Sequence, residues 1–263
     1  MASSSAEKVA TSGYNRRYEL LQRLRTDGRL DVSAIAEEVG ISRETLRRDL
    51  RKLESQGLLR RSYGVAYPVE SGAFESELSA RVESNVEEKL RIATTAIAHL
   101  GGAQNVFIDE GFTTQLIAQH LPQDEQITVI TPSLPIASLL APRPHTQVIM
   151  LGGRVRGKTL GVVDTWATEL LGRLTIDLAL IGANGVSMDR GLTTPDPAVA
   201  VVKSAAIRSA IRRIFIGTHS KFGRATFVRF AEATDFELMI TGRELAPAMA
   251  RTFTNADIRL LRV

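Results

Sequence analysis

The spacing of apolar residues changes along the chain, and the change divides it into two parts. Up to about residue 66, most apolar positions recur at helical spacing, and turn residues separate the segments. The helices predicted there are Tyr14–Thr26, Val32–Val39 and a third that runs from an N-cap at Ser42 to about Gln56. Leu58–Ala66 predicts two short strands around Tyr63 and Gly64. Helices followed by such a hairpin predict a winged helix-turn-helix.

Beyond Gly101, short apolar runs alternate with stretches of helical spacing, after a helix predicted from about Glu87 to Leu100. Seven runs are predicted strands: Asn105–Asp109, Ile127–Thr131, Gln147–Leu151, Asp177–Gly182, Arg213–Gly217, Glu237–Ile240 and Ile258–Arg262. Five intervening stretches are predicted helices: Thr114–His120, Leu134–Leu140, Thr165–Gly172, Ala198–Ala210 and Glu244–Arg251. Such alternation predicts a largely parallel sheet with helices on both faces.

The predicted fold class is therefore α/β, with an N-terminal winged helix-turn-helix followed by a largely parallel, helix-covered α/β domain. We predict a Ser/Ala-rich disordered tail over residues 1–13 and the winged helix-turn-helix over 14–67. A polar linker is predicted over 68–88 and the α/β domain over 89–263.

Basic residues are concentrated in the first part of the chain. Residues 1–66 contain 13 Lys and Arg against 9 Asp and Glu, which accounts for the whole net charge of +4. This asymmetry favours contact between that end and a polyanion. The chain has no cysteine, no apolar run of membrane-spanning length and no apolar signal core near Met1, so we expect a cytoplasmic protein.

The predicted third helix has one apolar face and one basic face. At 100° per residue, Leu46, Leu50 and Leu53 fall within an arc of about 60°, and Arg48 points the opposite way. Such a helix suits DNA recognition, because its first turns meet base edges and further Lys and Arg side chains meet phosphates. The predicted DNA contacts are Ser42, Arg43, Glu44, Thr45, Arg47, Arg48, Arg51, Lys52 and, in the wing, Arg60 and Arg61. The alternative is a solvated helix face with local ion pairs.

Small and polar residues follow five of the predicted strands. In parallel sheets, ligands bind outside the carboxyl ends of the strands, and free N–H groups at a helix N-terminus attract anions. The predicted effector-binding residues are Asp109, Gly111, Thr113, Thr114, Thr131, Ser133, Gly152, Gly153, Lys203 and Lys221. Asp177 is left out because it begins its strand.

Residues 42–50 read Ser-Arg-Glu-Thr-Leu-Arg-Arg-Asp-Leu. This run is highly specific and resembles the DNA-binding region of DeoR-family bacterial repressors. The DNA contacts that the resemblance implies are Ser42, Thr45, Arg47 and Arg48. The family usually has His-Gly-Gly-Ala in the wing, whereas residues 63–66 read Tyr-Gly-Val-Ala.

The second part resembles the sensor domain of the same family, which is similar to sugar-phosphate isomerases and CoA transferases. The matching pieces include Asp109-x-Gly111-x-Thr113-Thr114, Gly152-Gly153, Gly182-Ala183-x-Gly185 and Ser220-Lys221-Phe222-Gly223. The resemblance implies a phosphorylated sugar or related catabolic intermediate as effector. Two departures are Pro132, where the family usually has Asn, and Thr218, where it usually has Asp.

Three functions remain open at this point. The first is a repressor of a carbohydrate catabolic operon, which binds double-stranded operator DNA as a homodimer or homotetramer and is released by the effector. The second is a sugar-phosphate isomerase-like enzyme, with Asp109, Glu110, His219 and Lys221 as candidate catalytic residues. The third is an activator. No cofactor, metal site or membrane contact is predicted, and residues 14–66 favour the regulator over the enzyme.

Overall fold

The computed structural model describes residues 13–27, 29–55, 59–62, 64–68 and 85–263. The chain forms two compact units, residues 1–80 and 81–263. The predicted tail and most of the predicted linker lie outside the described residues. The boundaries predicted at residues 13, 67 and 88 therefore stay predictions.

The first unit contains three helices and a small antiparallel sheet. The helices are α1 (Gly13–Asp27), α2 (Val32–Val39) and α3 (Arg43–Ser55), and the strands are β1 (Leu30–Asp31), β2 (Leu59–Ser62) and β3 (Val65–Pro68). The strand order is β1-β3-β2, so the predicted wing hairpin is present and β1 adds an unpredicted third strand.

Local hydrogen bonds and one glycine set both ends of α2 and the start of α3. The Asp31 carboxylate accepts from the backbone N–H groups of Ser33 and Ala34, at 2.8 and 3.0 Å, and caps α2. The α2 helix ends at Gly40, whose φ of 68° is a left-handed conformation that glycine adopts readily. Ser42 Oγ accepts from the Thr45 N–H at 3.1 Å, which confirms the predicted N-cap of α3.

The core of the first unit forms around the apolar face of α3. Leu46, Leu50 and Leu53 are 1%, 2% and 4% exposed, which confirms the predicted stripe. They belong to one cluster with Leu20, Leu24, Leu30, Ile35, Ala36, Leu59 and Ala66. The opposite face of α3 is consequently left to solvent.

The second unit is larger and contains the predicted strand–helix alternation. Its helices are α4 (Val86–Ala98), α5 (Phe112–His120), α6 (Leu134–Leu140), α7 (Thr165–Leu171), α8 (Pro197–Ser209) and α9 (Pro247–Thr254). Its strands are β4 (Asn105–Ile108), β5 (Ile127–Thr131), β6 (Thr146–Met150), β7 (Arg154–Val155), β8 (Val162–Val163), β9 (Ile176–Ile181), β10 (Gly185–Ser187), β11 (Gly191–Thr194), β12 (Ala210–Ile216), β13 (Val228–Ala231), β14 (Leu238–Thr241) and β15 (Leu260–Arg262).

All seven predicted strands enter one parallel sheet in the order β15-β14-β12-β9-β4-β5-β6. Its residues alternate between two apolar layers. Leu178 and Leu180 of β9 face the layer built with α4, α5 and α6, whereas Ala179 and Ile181 face the layer built with α7, α8 and α9. The prediction of a parallel sheet covered on both faces is confirmed.

Two smaller sheets were not predicted, namely the antiparallel sheet β10-β11-β13 and the hairpin β7-β8. The last helix was predicted over Glu244–Arg251 but occupies Pro247–Thr254. The difference arises because Pro247 stands in the first turn, where its missing N–H and fixed φ suit a helix start. None of the helices in the described ranges is long and apolar enough to cross a bilayer.

Candidate DNA-reading helix and effector-binding edge

The exposed face of α3 carries two consecutive arginines. Arg47 and Arg48 are exposed, and neither forms an ion pair with another residue that the structure describes. The next residue, Asp49, is only 3% exposed. The three charged residues therefore divide between the two faces of the helix, and the arginines offer their guanidinium groups to solvent.

Asp49 binds two arginines of α1. Its Oδ2 accepts from Arg16 Nε at 2.6 Å, and its Oδ1 accepts from Arg17 Nη1 at 3.2 Å. Arg16 is 8% exposed, so this is a buried ion pair that ties α3 to α1. The alternative of a solvated helix face would have made Asp49 a surface charge with local partners, but its carboxylate is buried.

Other predicted DNA contacts on α3 lie at the surface with short-range partners. Arg51 pairs with Glu44 at 3.0 Å, and Arg43 lies 3.7 Å from Glu37. Both pairs are well exposed, and exposed ion pairs of this kind contribute only about 0–1 kcal/mol. Ser42 and Thr45 are joined by a hydroxyl hydrogen bond of 2.9 Å at the start of the helix, and Lys52 is exposed further along it.

In the wing, Arg61 is held by Glu54 at the end of α3. The Glu54 carboxylate accepts from the Arg61 backbone N–H at 2.9 Å and from its Nη2 at 2.6 Å. This clamp fixes β2 against the helix. The Arg60 side chain and Tyr63 lie outside the described part of the chain.

The second candidate site is the carboxyl edge of the large sheet. Five strands were predicted to have effector-binding residues at their ends. They are adjacent in the sheet, in the order β12, β9, β4, β5 and β6. Because all of them run in the same direction, the segments that follow them gather at one edge.

A buried charge pair occupies the middle of this edge. Asp109 is 1% exposed, and Lys203, from α8, is 4% exposed. Lys203 Nζ donates to Asp109 Oδ2 and, at 3.1 Å, to the Gly182 carbonyl. Asp109 also accepts from the backbone N–H groups of Gly182 and Glu110, each at 2.9 Å. The sequence indicated both residues for this edge, but it did not reveal that they bind each other.

The predicted hydroxyl residues hold their own loops in place. Thr131 Oγ1 donates to the Ile108 carbonyl at 2.7 Å, and Thr114 Oγ1 donates to the Gly111 carbonyl at 2.6 Å. Ser133 Oγ accepts from the Ile136 N–H at 3.4 Å and caps α6. These three side chains are buried, and they shape the edge through local bonds.

The remaining predicted residues are the ones that solvent can reach at this edge, through backbone N–H groups or partly exposed side chains. Gly111 precedes α5 with φ of 133° and without a side-chain cap, so it leaves backbone N–H groups in the first turn of the helix. Thr113 and Lys221 are half-buried, and Gly152 and Gly153 are exposed. Gly153 has φ of 138° and packs closely against the Val163 carbonyl, where a side chain would collide.

A second buried ion network at this edge was not predicted. Arg156, 8% exposed, reaches Glu110 Oε1 through Nη1 at 3.2 Å and Asp196 Oδ2 through Nε at 3.1 Å. Thr159 Oγ1 donates to the Glu110 carboxylate at 2.7 Å. These contacts pin the segment between β7 and β8 to the loop that follows β4. No local pattern marked Arg156, because its two acidic partners lie 40 or more residues away in sequence.

His219, a candidate catalytic residue of the enzyme alternative, is bound by a buried carboxylate. Glu88 of α4 is 3% exposed and accepts from the His219 backbone N–H at 2.6 Å and from its Nδ1 at 2.9 Å. Glu244 lies close enough to both that one atom from each of the three side chains falls within 4.8 Å of the others. Arg91 Nη2 binds the Glu244 carboxylate at 2.5 Å. The two carboxylates of this cluster are thus already hydrogen-bonded to His219 and Arg91, and we assign no metal to it.

Comparison with known proteins gives matches over both units. A DeoR-like helix-turn-helix domain model matches residues 16–71, and a DeoR C terminal sensor domain model matches residues 84–243.

The HTH-type transcriptional regulator GlpR of Haloferax volcanii is 35% identical over 216 residues, which cover 82% of this chain and 84% of that protein. The glycerol-3-phosphate regulon repressor of Escherichia coli is 24% identical over 92% of this chain and 95% of its own length. The match to ribose 5-phosphate isomerase A from Methanocaldococcus jannaschii covers 53% of this chain and 55% of that one, with 16% identity and a TM-score of 0.39.

The two family models together account for the helix-turn-helix unit and most of the second unit. The curated relatives are named as regulators or repressors, which supports the prediction of a non-enzymatic protein. This chain belongs to the DeoR family of DNA-binding transcriptional regulators.

Proposed function

We propose that this regulator represses a carbohydrate catabolic operon and that a phosphorylated sugar or related intermediate releases it from its operator. The main support for the proposal is that α3 has two different faces. One face buries its leucines, and the other presents Arg47 and Arg48 to solvent. The enzyme alternative has no use for such a helix.

The proposed DNA contacts follow from this face. Arg47 and Arg48 have no competing ion pair among the described residues, so they are available for guanine edges or phosphates. Ser42 and Thr45 stand at the N-terminal end of α3, which in this motif approaches the bases. Arg43, Glu44, Arg51, Lys52 and the wing arginines are proposed to contact the backbone or flanking bases.

The proposed effector site is the carboxyl edge of the large sheet. The backbone N–H groups at the start of α5 suit a phosphate, and Lys221, in the segment that follows β12, contributes a positive charge to the same edge of the sheet. The Asp109–Lys203 pair fixes the floor of this edge. The Escherichia coli relative is a glycerol-3-phosphate regulon repressor, which supports the same effector class.

We also propose that the protein works as a homodimer or homotetramer. Operators read by helix-turn-helix proteins are commonly two-fold symmetric, and two copies of α3 are needed to occupy both half-sites. Sedimentation analysis of the free protein and of its complex with DNA measures this directly.

The first experiment titrates purified protein onto its own upstream DNA by fluorescence anisotropy at fixed salt. The panel contains glycerol 3-phosphate, fructose 1-phosphate, glucose 6-phosphate and ribose 5-phosphate, with inorganic phosphate as the control for charge. We expect one compound to weaken operator binding about 5–150-fold, the range typical of allosteric coupling. Retention of full affinity with every compound would overturn the effector proposal.

The Arg48→Ala variant tests the DNA-reading face. We expect operator affinity to fall about 5–150-fold, because one base-contacting arginine contributes about 1–3 kcal/mol of discrimination. Arg251→Ala is the matched control, since it removes the same charge from an exposed position on α9. Equal losses in the two variants would point to a general charge effect and contradict the assignment.

A reporter assay in cells separates repressor from activator. Deletion of the regulator should raise expression of the adjacent operon if it represses and lower it if it activates.

A further inference from the structure

The first turn of α4 carries two consecutive charged residues that are both buried. Glu88 is 3% exposed and Lys89 is 7% exposed. Charged side chains are rarely buried to this extent unless they have partners, because desolvation costs several kcal/mol per ion. Glu88 was predicted as the last residue of a polar linker, at the start of the helix predicted from about Glu87, and nothing in the sequence predicted its burial.

Glu88 reaches the segment that follows β12. Both of its oxygens accept hydrogen bonds from His219, one from the backbone and one from the ring. His219 begins a short 3-10 turn that ends at Lys221. The carboxylate therefore fixes the position of the turn that contains Ser220 and Lys221, which belong to the proposed effector edge.

Two other strand ends contact the same turn of α4. Lys89 Nζ lies 5.2 Å from the centre of the Phe112 ring, at the start of α5. Gly242, which follows β14, packs so closely on the Glu88 carboxylate that a Cβ there would collide with it. One helical turn is thus in contact with the segments after β4, β12 and β14.

The first turn of α4 also lies next to the segment that connects the two units in sequence. Residues 69–85 are the sequence between the last strand of the first unit and the start of α4. A shift of the first turn of α4 therefore moves the end of that segment which is attached to the sensor unit.

We propose that Glu88 is a positioning residue that transmits effector occupancy from the turn at residues 219–221 to the start of α4, and so to the DNA-binding unit. The proposal rests on the proposed function of this edge. An effector that engages Lys221 displaces or tightens the turn, and the Glu88–His219 contacts pass that change to α4. Without them the turn moves independently and the effector loses its influence on DNA affinity.

The test compares the full-length wild type with Glu88→Gln, and uses Glu87→Gln as the matched control. Glu87 precedes Glu88 and is exposed, so the control makes the same chemical change in the same helical turn. Each protein is titrated onto operator DNA with and without a saturating amount of the panel compound that releases the wild type. Calorimetry without DNA measures binding of that compound.

We expect Glu88→Gln to bind the compound and the operator, while the release by the compound falls from about 5–150-fold to less than about 2-fold. Glu87→Gln should keep the release of the wild type. A purely structural role for Glu88 would lower the thermal midpoint and leave the release unchanged, and that result would overturn the proposal.

His219→Ala keeps the experiment decisive if Glu88→Gln does not fold. It removes only the ring contact at a residue whose side chain is 36% exposed, and the backbone hydrogen bond to Glu88 remains. We expect a reduced release in this variant too, and an undiminished release would overturn the proposal. A wild type that responds to no panel compound would instead overturn the proposed function, and this inference with it.

Discussion

Removing the carboxylate of Asp49 should unfold the DNA-reading unit and leave the sensor unit intact. The change Asp49→Ala leaves Arg16 without its partner at 2.6 Å, and Arg16 is 8% exposed. Breaking a buried pair by removing one partner costs about 3–5 kcal/mol, because the other charge remains desolvated. A unit of this size has a free energy of unfolding of about 3–8 kcal/mol, at roughly 0.05–0.15 kcal/mol per residue. The substitution therefore removes most of that stability.

Hydrogen–deuterium exchange followed by mass spectrometry suits this prediction, because it measures both units in one sample. In Asp49→Ala, amide protection should collapse in α1 and α3 and remain at the wild-type level in β9 and β12. Glu44→Ala is the matched control, since Glu44 is an acidic residue of the same helix whose pair with Arg51 is well exposed. Exposed pairs contribute about 0–1 kcal/mol, so protection in this control should hardly change.

The double variant Arg16→Met/Asp49→Leu extends the reasoning, since apolar side chains that replace both partners of a buried ion pair are often neutral or stabilising. It should recover protection that Asp49→Ala loses. If Asp49→Ala costs no more than Glu44→Ala, the pair contributes as a surface pair does, and the argument from burial is wrong.

Two further predictions concern an N-cap and a glycine. Hydrogen bonds from the backbone N–H groups of Ala34 and Ser33 lower the pKa of Asp31 below its usual value of 3.8. The stabilisation from the ionised cap is therefore present above that pH and lost as pH falls through the lower folded-state pKa. Asp31→Ala should lower the urea midpoint at pH 7, and Asp31→Asn should keep the cap but lose this acid dependence; an unchanged midpoint in the alanine variant would count against the cap. Gly153→Ala should lower the free energy of unfolding of the sensor unit by about 1–3 kcal/mol, measured by thermal unfolding. Gly153 has a positive φ, and an added Cβ would collide with the Val163 carbonyl. Gly157→Ala, which meets nothing within 4 Å, is its control, and equal losses would contradict the prediction.

Local patterns were sufficient to predict the main elements of both units. Val32–Val39 and Leu134–Leu140 have the predicted bounds, because a cap or turn residue stands beside each apolar stretch. The order of the seven strands in the sheet was not predicted, since pairings such as that of β4 with β9 depend on contacts between distant segments. The short strands β10, β11 and β13 were missed because runs of three or four residues have too little periodicity to separate them from loops.

The sequence predicted where the candidate sites lie, but it did not predict most of the side-chain contacts within them. Apolar spacing indicated which face of α3 is exposed, since period and burial are directly linked. It did not indicate that Asp49 is buried, because a single charged residue at the border of an apolar stripe has no distinct signal. Glu88 and Arg156 were missed for a related reason. Each acquires its partners only when the chain folds, and an isolated Glu or Arg in a sequence looks the same whether it is solvated or paired.

The strand order of the large sheet has a consequence for how the protein forms during synthesis. The central pairing joins Val106 of β4 to Leu178 of β9, so it cannot begin until both residues have left the ribosome. Pairings between segments so distant in sequence slow folding and leave unpaired strand edges exposed in the meantime. The hairpin of β2 and β3, in contrast, closes between Ser62 and Val65. We expect nascent chains to carry a folded DNA-reading unit ahead of an unfinished, aggregation-prone sensor sheet.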